Sequence, residues 1–267
     1  MGCGTSILSM FASQAGAKTV YAIDQSEIIY KAMEIANTNS IKNIKFIKNR
    51  LEDAPLPIDK VDIIISEWMG YFLLYEGMLD SVIYARNNYL NEGGILMPNR
   101  CNISLVGYGN EESYKHFIQF WKSVYGFDMN CMVGEILREA HVEECDGNFV
   151  ITKPTVLADF DLMKVDINCP DFSYDFELET LKDGVLTAFV GYFDTFFELP
   201  KSVMFSTSPF EKKTHWKQVV FYVDKPYKQN VGDIIKGKFI CRRDRNDLRS
   251  LKVEIIALGK VFKYDLN

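Results

Sequence analysis

Paired cysteines, long apolar runs and internal repeats are all missing from this sequence. Its six cysteines are scattered without a Cys-x-x-Cys pair, which favours free thiols in a reducing compartment over a disulfide framework or a zinc site. No stretch of about 18 apolar residues and no basic-then-apolar leader is visible, so we expect neither a membrane-spanning helix nor a signal peptide. The absence of repeats argues against a solenoid or propeller architecture.

Basic residues are fewer than acidic residues. The chain has 30 Lys and Arg residues against 36 Asp and Glu residues, a net charge of −6. This balance argues weakly against nonspecific binding to nucleic acids or anionic lipids, and it is compatible with a cationic peptide substrate. With 48% hydrophobic and 25% charged residues over 267 positions, the composition is typical of a soluble globular protein of two domains.

The pattern of strands and helices changes near Pro98. Over residues 1–98, short apolar strands alternate with amphipathic helices, which predicts an α/β layer of mostly parallel strands. Over residues 99–267, strands follow one another with short turns, which predicts an antiparallel sandwich or barrel. The strands predicted for this second part are 102–107, 149–152, 173–180, 186–197, 202–207, 218–223, 236–242 and 251–257.

A glycine turn near the start indicates a nucleotide-binding loop. Gly2-Cys3-Gly4 precedes a helical pattern, although the third glycine of Gly-x-Gly-x-x-Gly is not in place and the expected preceding strand is missing. Asp24 ends the next strand about 20 residues further on, where a carboxylate can accept hydrogen bonds from ribose hydroxyls. A helix cap is the structural alternative for Asp24. Glu52, after the third strand, is either an acceptor for an adenine amine or a solvated loop charge.

An aromatic and apolar segment, Ser66–Leu79, carries two glutamates, Glu67 and Glu76. It follows an apolar run at 61–65 that reads as a buried strand. Gly70 lies between the glutamates and lets the chain turn. A loop that folds back there would bring both carboxylates into one apolar pocket, which suits a planar cation such as the arginine guanidinium.

An insert from Glu111 to about Leu137 interrupts the strands of the second part. Its aromatic side chains recur at helical spacing and are too many for a solvated loop. The residues alone leave two interpretations open. The insert either packs on its own domain or docks on another subunit.

Three segments together point to a known family: residues 2–12 (Gly-Cys-Gly-Thr-Ser-Ile-Leu-Ser-Met-Phe-Ala), residues 66–76, and Thr214-His215-Trp216-Lys217-Gln218. They resemble the corresponding motifs of the protein arginine methyltransferases. The two-glutamate segment and the Thr-His-Trp motif form a specific pair, whereas the glycine loop alone is common to many nucleotide-binding proteins. The resemblance extends over essentially the whole chain.

Further matches at 66–74, 124–129 and Arg249–Leu251 indicate the type I branch, which makes asymmetric dimethylarginine, and the chain looks most similar to its third subgroup. The resemblance implies an α/β, class I S-adenosylmethionine-dependent methyltransferase (Rossmann-like) domain over 1–98. It implies an antiparallel β-barrel domain for substrate binding over 99–267, with a helical dimerisation arm at about 112–134.

The resemblance also implies roles for particular residues. Glu67 and Glu76 would clamp the substrate guanidinium, and His215 would act with them in catalysis. The implied substrate-binding residues are Met78, Tyr71 and Trp216. The implied cofactor-binding residues are Gly2, Cys3, Gly4, Asp24, Ser26, Leu51 and Glu52.

The reaction implied by the family is methyl transfer from S-adenosyl-L-methionine to guanidinium nitrogens of arginine in proteins, giving monomethylarginine and asymmetric dimethylarginine. Gly-Arg-rich, ribosomal or RNA-binding proteins are the expected substrates, and the arm is expected to form a homodimer. We expect no metal and no direct nucleic-acid or membrane partner. The expected location is the cytoplasm, with the nucleus as a second compartment.

The chain departs from the family's pattern at its start. The lid that folds over the cofactor, the first strand and the third subgroup's zinc finger are missing, which predicts an incomplete, N-terminally truncated Rossmann-like domain. Two alternatives therefore stand beside the enzyme: a catalytically impaired product that acts as a dimerising scaffold, and a methyltransferase for a small cationic acceptor. Ser6 in place of glycine and Gly77 in place of serine are expected to be tolerated.

Overall fold

The computed structural model describes residues 1–53, 56–58 and 60–267, which form two units. Unit 1 consists of Met1–Trp68, Met78–Asn99 and Leu162–Lys164. Unit 2 consists of Met69–Gly77, Arg100–Asp161 and Val165–Asn267. The two-glutamate segment is therefore divided, with Glu67 in unit 1 and Glu76 in unit 2.

Unit 1 alternates strands with helices, as its apolar runs between amphipathic segments predict. Its helices are α1 (Ile7–Gln14), α2 (Ile28–Thr38) and α3 (Leu79–Tyr89). Its strands are β1 (Val20–Asp24), β2 (Ile44–Lys48), β3 (Val61–Ile65) and β4 (Leu90–Met97). Strand β1 pairs with β2 and β3 pairs with β4, both in parallel. The predicted α/β layer of parallel strands is confirmed.

The first three residues lie between the two strand pairs of unit 1. The Met1 ammonium donates to the Ile65 carbonyl at 3.0 Å, and the Cys3 N–H donates to the Ile23 carbonyl at 3.0 Å. Among the described residues, β1 and β3 have one strand partner each, and a cavity of about 690 Å³ opens beside them. The segment from Met1 to Cys3 is thus hydrogen-bonded to the carboxyl ends of β1 and β3. In α/β proteins, ligands bind at the carboxyl ends of parallel strands.

Unit 2 is built from antiparallel strands. They are β5 (Arg100–Tyr108), β6 (His141–Glu143), β7 (Thr155–Asp161), β8 (Phe172–Glu179), β9 (Gly184–Phe197), β10 (Val203–Ser206), β11 (Gln218–Gln229), β12 (Ile234–Arg243), β13 (Leu251–Ala257) and β14 (Lys260–Leu266). One sheet has the order β6-β11-β9-β5-β7, with β10 paired to β9, and the other has the order β14-β13-β12-β8. The antiparallel architecture is confirmed, and over the described ranges its ladders form two sheets rather than one closed ring.

The strands of unit 2 differ from the predicted ones in detail. Residues 149–152 form no strand. A 3-10 turn at Gly147–Phe149 leads instead to single bridges at Val150 and Thr152. The predicted strands also leave out β6, β7 and β14. β6 has only three residues, whereas residues 262–266 of β14 alternate apolar and charged side chains as a half-buried strand does. In the structure these strands pair with β11, β5 and β13.

The aromatic insert is part helix and part turn. It contains α4 (Glu111–Phe117), 3-10 turns at Gln119–Lys122 and Asn130–Met132, and α5 (Val133–Ile136). Tyr114 and Ile118 are buried in the core of unit 2. Exposed fractions of 49%, 98% and 69% are found for Phe120, Tyr125 and Phe127. One part of the insert therefore packs on its own unit, and another part presents aromatic surface.

All six cysteines carry free thiols, as their scatter predicts. Burial raises the pKa of the Cys101, Cys145 and Cys241 thiols to about 12, so these side chains are protonated at neutral pH and pack as apolar groups. Within the described residues, no helix is long and apolar enough to cross a membrane. The same part of the chain contains no group of three or more His, Cys, Asp or Glu side chains that could hold a metal ion.

Candidate functional site

The glycine loop of unit 1 lies at the carboxyl ends of β1 and β3. Gly2 and Gly4 have φ values of 63° and 50°, in the left-handed region that favours glycine. A Cβ on Gly2 would lie 2.6 Å from Cε of Met78, whereas a Cβ on Gly4 would meet nothing within 4 Å. The loop therefore brings Met78 against Gly2 and leaves space at Gly4 for a ligand to approach the backbone.

Asp24, at the end of β1, accepts three hydrogen bonds. The Gly4 N–H donates to Oδ2 at 2.9 Å, and the N–H and hydroxyl of Ser26 donate to Oδ1 at 2.9 and 2.7 Å. Partial burial raises the pKa of Asp24, but the hydrogen bonds from Ser26 and Gly4 outweigh burial and bring it below its usual range. The N-cap residue of helix α2 is Glu27, so Asp24 does not cap that helix. Asp24 is thus an ionised hydrogen-bond acceptor. Its Oδ2 accepts one hydrogen bond, from Gly4, and can accept a second from a ligand hydroxyl.

Cys3 lies between the two loop glycines. Burial, and then the nearby charge of Asp24, raises the pKa of its thiol above the usual value. The thiol is therefore protonated at neutral pH, which excludes a standing thiolate nucleophile in this loop.

Glu52 is tied to α3 rather than left in solvent. The Ser81 hydroxyl donates a hydrogen bond to one carboxylate oxygen, and Arg50 Nε lies 3.3 Å from the other. The neighbouring Leu51 is buried. These contacts favour a fixed carboxylate over a solvated loop charge. The sequence marks Ser81 only by its place in the first turn of α3.

Glu67 follows β3 in unit 1, and its side chain is exposed. The backbone before it is held by Ser66, whose N–H donates to the Met97 carbonyl at 3.1 Å and whose hydroxyl donates to the Met1 carbonyl at 3.3 Å. The next residue, Trp68, is buried. Glu67 is therefore positioned at the same end of β3 as the glycine loop.

The segment Met69–Gly77 of unit 2 doubles back at the predicted turn. The Gly70 N–H donates to the Leu73 carbonyl at 3.0 Å, and a Cβ on Gly70 would lie 1.9 Å from the Tyr75 carbonyl oxygen. Only glycine fits such a close approach of two backbones. The ring of Tyr71 stacks on that of Tyr75 with centroids 5.9 Å apart.

Trp216 ties the Thr-His-Trp loop to this segment. Its Nε1 donates to the Met69 carbonyl at 2.7 Å, and its ring stacks on Phe205 with centroids 5.4 Å apart. Phe193 meets the same ring edge-on at 5.7 Å. His215 is exposed, and its ring centroid lies 3.9 Å from that of Trp216. The structure thus gives Trp216 an anchoring contact and holds His215 beside it.

Glu76 contacts a residue to which the sequence assigns no role. Glu76 has a φ of 78°, and its N–H donates to the Arg249 carbonyl at 2.8 Å. Arg249 Nη2 lies 3.9 Å from Oε1 of Glu76. The only sequence signal for Arg249 is its presence in the Arg-Ser-Leu match to the type I branch.

Family models match both parts of the chain. Residues 103–257, more than half of the chain, match a model described as the arginine methyltransferase oligomerization subdomain. The chain belongs to the protein arginine methyltransferase family. Residues 1–145 match a model described as a methyltransferase domain, in agreement with the α/β architecture of unit 1.

Known relatives support the same family. Protein arginine N-methyltransferase 1 of Dictyostelium discoideum is 42% identical over 257 residues, which are 96% of this chain and 75% of the relative. Protein arginine N-methyltransferase 1 of Schizosaccharomyces pombe is also 42% identical over 257 residues, 96% of this chain and 76% of the relative. Because these relatives carry the number 1, the expected similarity to the third subgroup is not supported.

A solved structure confirms the fold. The Trypanosoma brucei protein arginine methyltransferase 1 enzyme–prozyme heterotetrameric complex with AdoHcy matches with a TM-score of 0.95 at 31% identity, covering 100% of this chain and 87% of that chain. The predicted class, an arginine methyltransferase with a Rossmann-like domain and an antiparallel β domain, is confirmed.

Proposed function

We propose that this chain transfers methyl groups from S-adenosyl-L-methionine to arginine guanidinium nitrogens in proteins. The observation that carries the proposal is the 42% identity, over 96% of the chain, to a protein named for that activity. The similar trypanosomal complex contains AdoHcy, which is what remains of the donor after its methyl group has left.

The residues of unit 1 fit this donor. The open space at Gly4 admits a ligand close to the backbone, and the ionised Asp24 carboxylate can accept from ribose hydroxyls. Glu52, held by Ser81, can accept from an exocyclic adenine amine. The bound donor supplies a methyl group on a positively charged sulfur. The proposed binding residues remain Gly2, Cys3, Gly4, Asp24, Ser26, Leu51 and Glu52.

In this proposal Glu67 and Glu76 hold the substrate guanidinium, and their pairing stays a prediction. Arginine is protonated in water and is a poor nucleophile. Two carboxylates orient the guanidinium so that one terminal nitrogen faces the methyl group, and they draw positive charge away from that nitrogen. Catalysis then depends on positioning and electrostatics. Glu76 and His215 are the candidate acceptors for the proton that is released.

The proposed products are monomethylarginine and asymmetric dimethylarginine. Met78 supports this because its side chain lies against Gly2, where it can narrow the side of the pocket that faces the donor. Tyr71 and Trp216 remain the other proposed substrate-binding residues. Tyr71 belongs to the Met69–Gly77 segment, and Trp216 is hydrogen-bonded to it.

The proposed partners are proteins with accessible arginines, such as Gly-Arg-rich, ribosomal or RNA-binding proteins of the cytoplasm or nucleus, and a second copy of this chain. The match to an oligomerization subdomain supports oligomer formation. The exposed aromatic side chains of the insert support the arm at about 112–134 as the contact.

The test replaces each clamp carboxylate with its neutral isostere. We expect Glu67→Gln and Glu76→Gln to lower transfer of labelled methyl to a Gly-Arg-rich peptide by at least about 100-fold, because the guanidinium loses its charged acceptor in the transition state. Calorimetric affinity for S-adenosylmethionine should stay within about twofold, since neither residue is assigned to the cofactor.

Glu92→Gln is the matched control, because Glu92 is an exposed residue of β4 and should leave transfer unchanged. Undiminished transfer by either clamp variant would remove that residue from the proposed mechanism. Mass spectrometry of the wild-type product tests the methylation type, and symmetric dimethylarginine would contradict the product assignment.

A further inference from the structure

Glu76 has a backbone conformation that needs support from its surroundings. Its φ of 78° and that of Gly77, 69°, both lie in the left-handed region, which a side chain like glutamate rarely adopts. The Glu76 side chain is also 50% exposed, so packing alone does not fix the direction of its carboxylate. Another part of unit 2 has to hold this residue.

The loop at 244–250, which joins β12 to β13, supplies that support through its backbone. The Arg249 carbonyl accepts the Glu76 N–H at 2.8 Å. A Cβ on Gly77 would lie 2.8 Å from the carbonyl oxygen of Leu248. Leu248 and Arg249 therefore lie against Gly77 and Glu76 through their carbonyl groups. The absence of a side chain on Gly77 allows this close approach.

The loop is itself held in one shape by Asp247. Oδ1 of Asp247 accepts the Arg249 N–H at 3.0 Å, and Oδ2 accepts the Ser250 hydroxyl at 2.8 Å. Ser250 is 3% exposed, and its carbonyl accepts the Asp244 N–H at 2.9 Å. A turn closed by these bonds presents the carbonyl and the side chain of Arg249 in a fixed relation to Glu76.

The guanidinium of Arg249 lies close to the Glu76 carboxylate but does not donate a hydrogen bond to its oxygens. Nη2 lies 3.9 Å from Oε1, and the side chains of Arg249 and Glu76 are 65% and 50% exposed. At that distance the pair is electrostatic rather than hydrogen-bonded, and an exposed pair adds little to folding stability. The acceptor sites of the Glu76 carboxylate therefore stay available for a second, bidentate guanidinium, while the charge of Arg249 remains close to them.

We propose that Arg249 is a positioning residue for Glu76, with its carbonyl holding the Glu76 backbone and its guanidinium turning the carboxylate toward the substrate arginine. The proposal rests on the proposed arginine methylation and adds a residue to it. Arg249 does not touch the reacting atoms. It acts through Glu76, so loss of the Arg249 side chain should lower the rate of methyl transfer more than the affinity for the cofactor.

The experiment compares Arg249→Ala, Arg249→Lys and Arg245→Ala in the full chain, with a Gly-Arg-rich peptide as the methyl acceptor. Arg245 is an exposed arginine of the same loop, and its variant is the matched control. We expect Arg249→Ala to lower kcat about 3- to 5-fold, because an exposed charge pair contributes little and misplacement of Glu76 is felt in the transition state. Arg249→Lys should recover part of the loss. The S-adenosylmethionine Kd should change less than about twofold.

Ionic strength supplies a second readout. Exposed charge pairs are screened by salt, so the kcat ratio between wild type and Arg249→Ala should shrink as salt rises. A purely structural role of the side chain predicts a ratio that does not depend on salt. Equal kcat values for Arg249→Ala and Arg245→Ala, or no recovery by lysine, would overturn the proposal.

Hydrogen exchange at the Glu76 amide tests the backbone contact without any activity. The amide should exchange slowly in the wild type and in Arg249→Ala, which keeps the carbonyl, and faster in Asp247→Ala, which loosens the loop. Fast exchange in the wild type would contradict the inference even if methyl transfer is normal. A wild type that exchanges slowly but methylates no arginine peptide would instead contradict the proposed function.

Discussion

At the scale of single residues, Glu143 shows how the fold changes an ionisable group. The Tyr222 hydroxyl lies 3.2 and 3.4 Å from its two carboxylate oxygens, and Oγ of Ser113, on α4, lies 2.6 Å from the same hydroxyl. Burial raises the pKa of Glu143 above its usual value, although His141 nearby opposes this. The carboxyl group therefore links β6, β11 and the start of the aromatic insert.

The raised pKa of Glu143 predicts a pH-dependent stability. A carboxyl whose pKa is higher in the folded than in the unfolded state contributes stability below its unfolded pKa and loses that contribution as pH rises through its folded pKa. We expect the unfolding free energy of the wild type to fall more than that of Glu143→Gln between about pH 4.5 and 7. Urea unfolding at both pH values measures this difference.

Glu111→Gln is the control for that experiment, because Glu111 is an exposed residue of the same insert. It should keep the pH dependence of the wild type. A Glu143→Gln variant with the wild-type pH dependence would show that burial of Glu143 is not felt in solution.

At the scale of elements, the segment Met69–Gly77 is anchored by an aromatic ring. Phe72 is buried and meets Phe221 edge-on at 5.6 Å between centroids, with Phe239 at 5.7 Å. A Cβ on Gly191 of β9 would lie 2.2 Å from the Phe72 ring. The glycine therefore leaves the space that the ring fills, and the segment carrying Glu76 is fixed in the core of unit 2.

Gly191→Ala should destabilise the protein. The added methyl group overlaps the Phe72 ring, which must move against close-packed neighbours, and we expect a loss of about 1–3 kcal/mol in unfolding free energy by urea titration. Gly134→Ala is the control, because Gly134 lies in α5 with nothing within 4 Å of an added Cβ, and alanine is the better helix former. Equal stability of the two variants would argue against the proposed contact.

At the scale of the whole molecule, the aromatic insert has one buried part and one exposed part. Tyr114 and Ile118 hold it to the core, whereas Phe120, Tyr125 and Phe127 are exposed. Exposed aromatic side chains are enriched at protein interfaces. Together with the oligomerization subdomain match, this supports a dimer contact through the insert.

The double variant Phe120→Ser, Phe127→Ser should shift the protein from oligomer toward monomer in sedimentation velocity, because it removes apolar surface that association would bury. Tyr174→Ser, which changes a 42% exposed aromatic residue of β8, is the control and should leave the sedimentation coefficient unchanged. An unaltered oligomer in the double variant would place the interface elsewhere.

The sequence correctly predicts the features that a local pattern encodes. The glycine turn, the fold-back at Gly70 and the change from parallel to antiparallel strands are all present. The sequence does not predict β6, because three residues are too few to show a period of two; this strand is ordered by its pairing with β11. For Gly77 it predicted tolerance alone, whereas the structure shows a φ of 69° and a close approach to Leu248 that a serine Cβ would obstruct.

The sequence by itself determined the class of the protein, the α/β and antiparallel character of its two parts, and the candidate carboxylates. The class follows from the resemblance of three motifs to a known family, and the architecture and the carboxylates follow from periodicity and residue chemistry, which are local properties of the chain. Only the tertiary structure decided the partners of those carboxylates: Gly4 and Ser26 on Asp24, Ser81 on Glu52, and Arg249 on Glu76. Most of these partners are distant in sequence, and their meeting depends on how strands and loops pack, which no local pattern encodes.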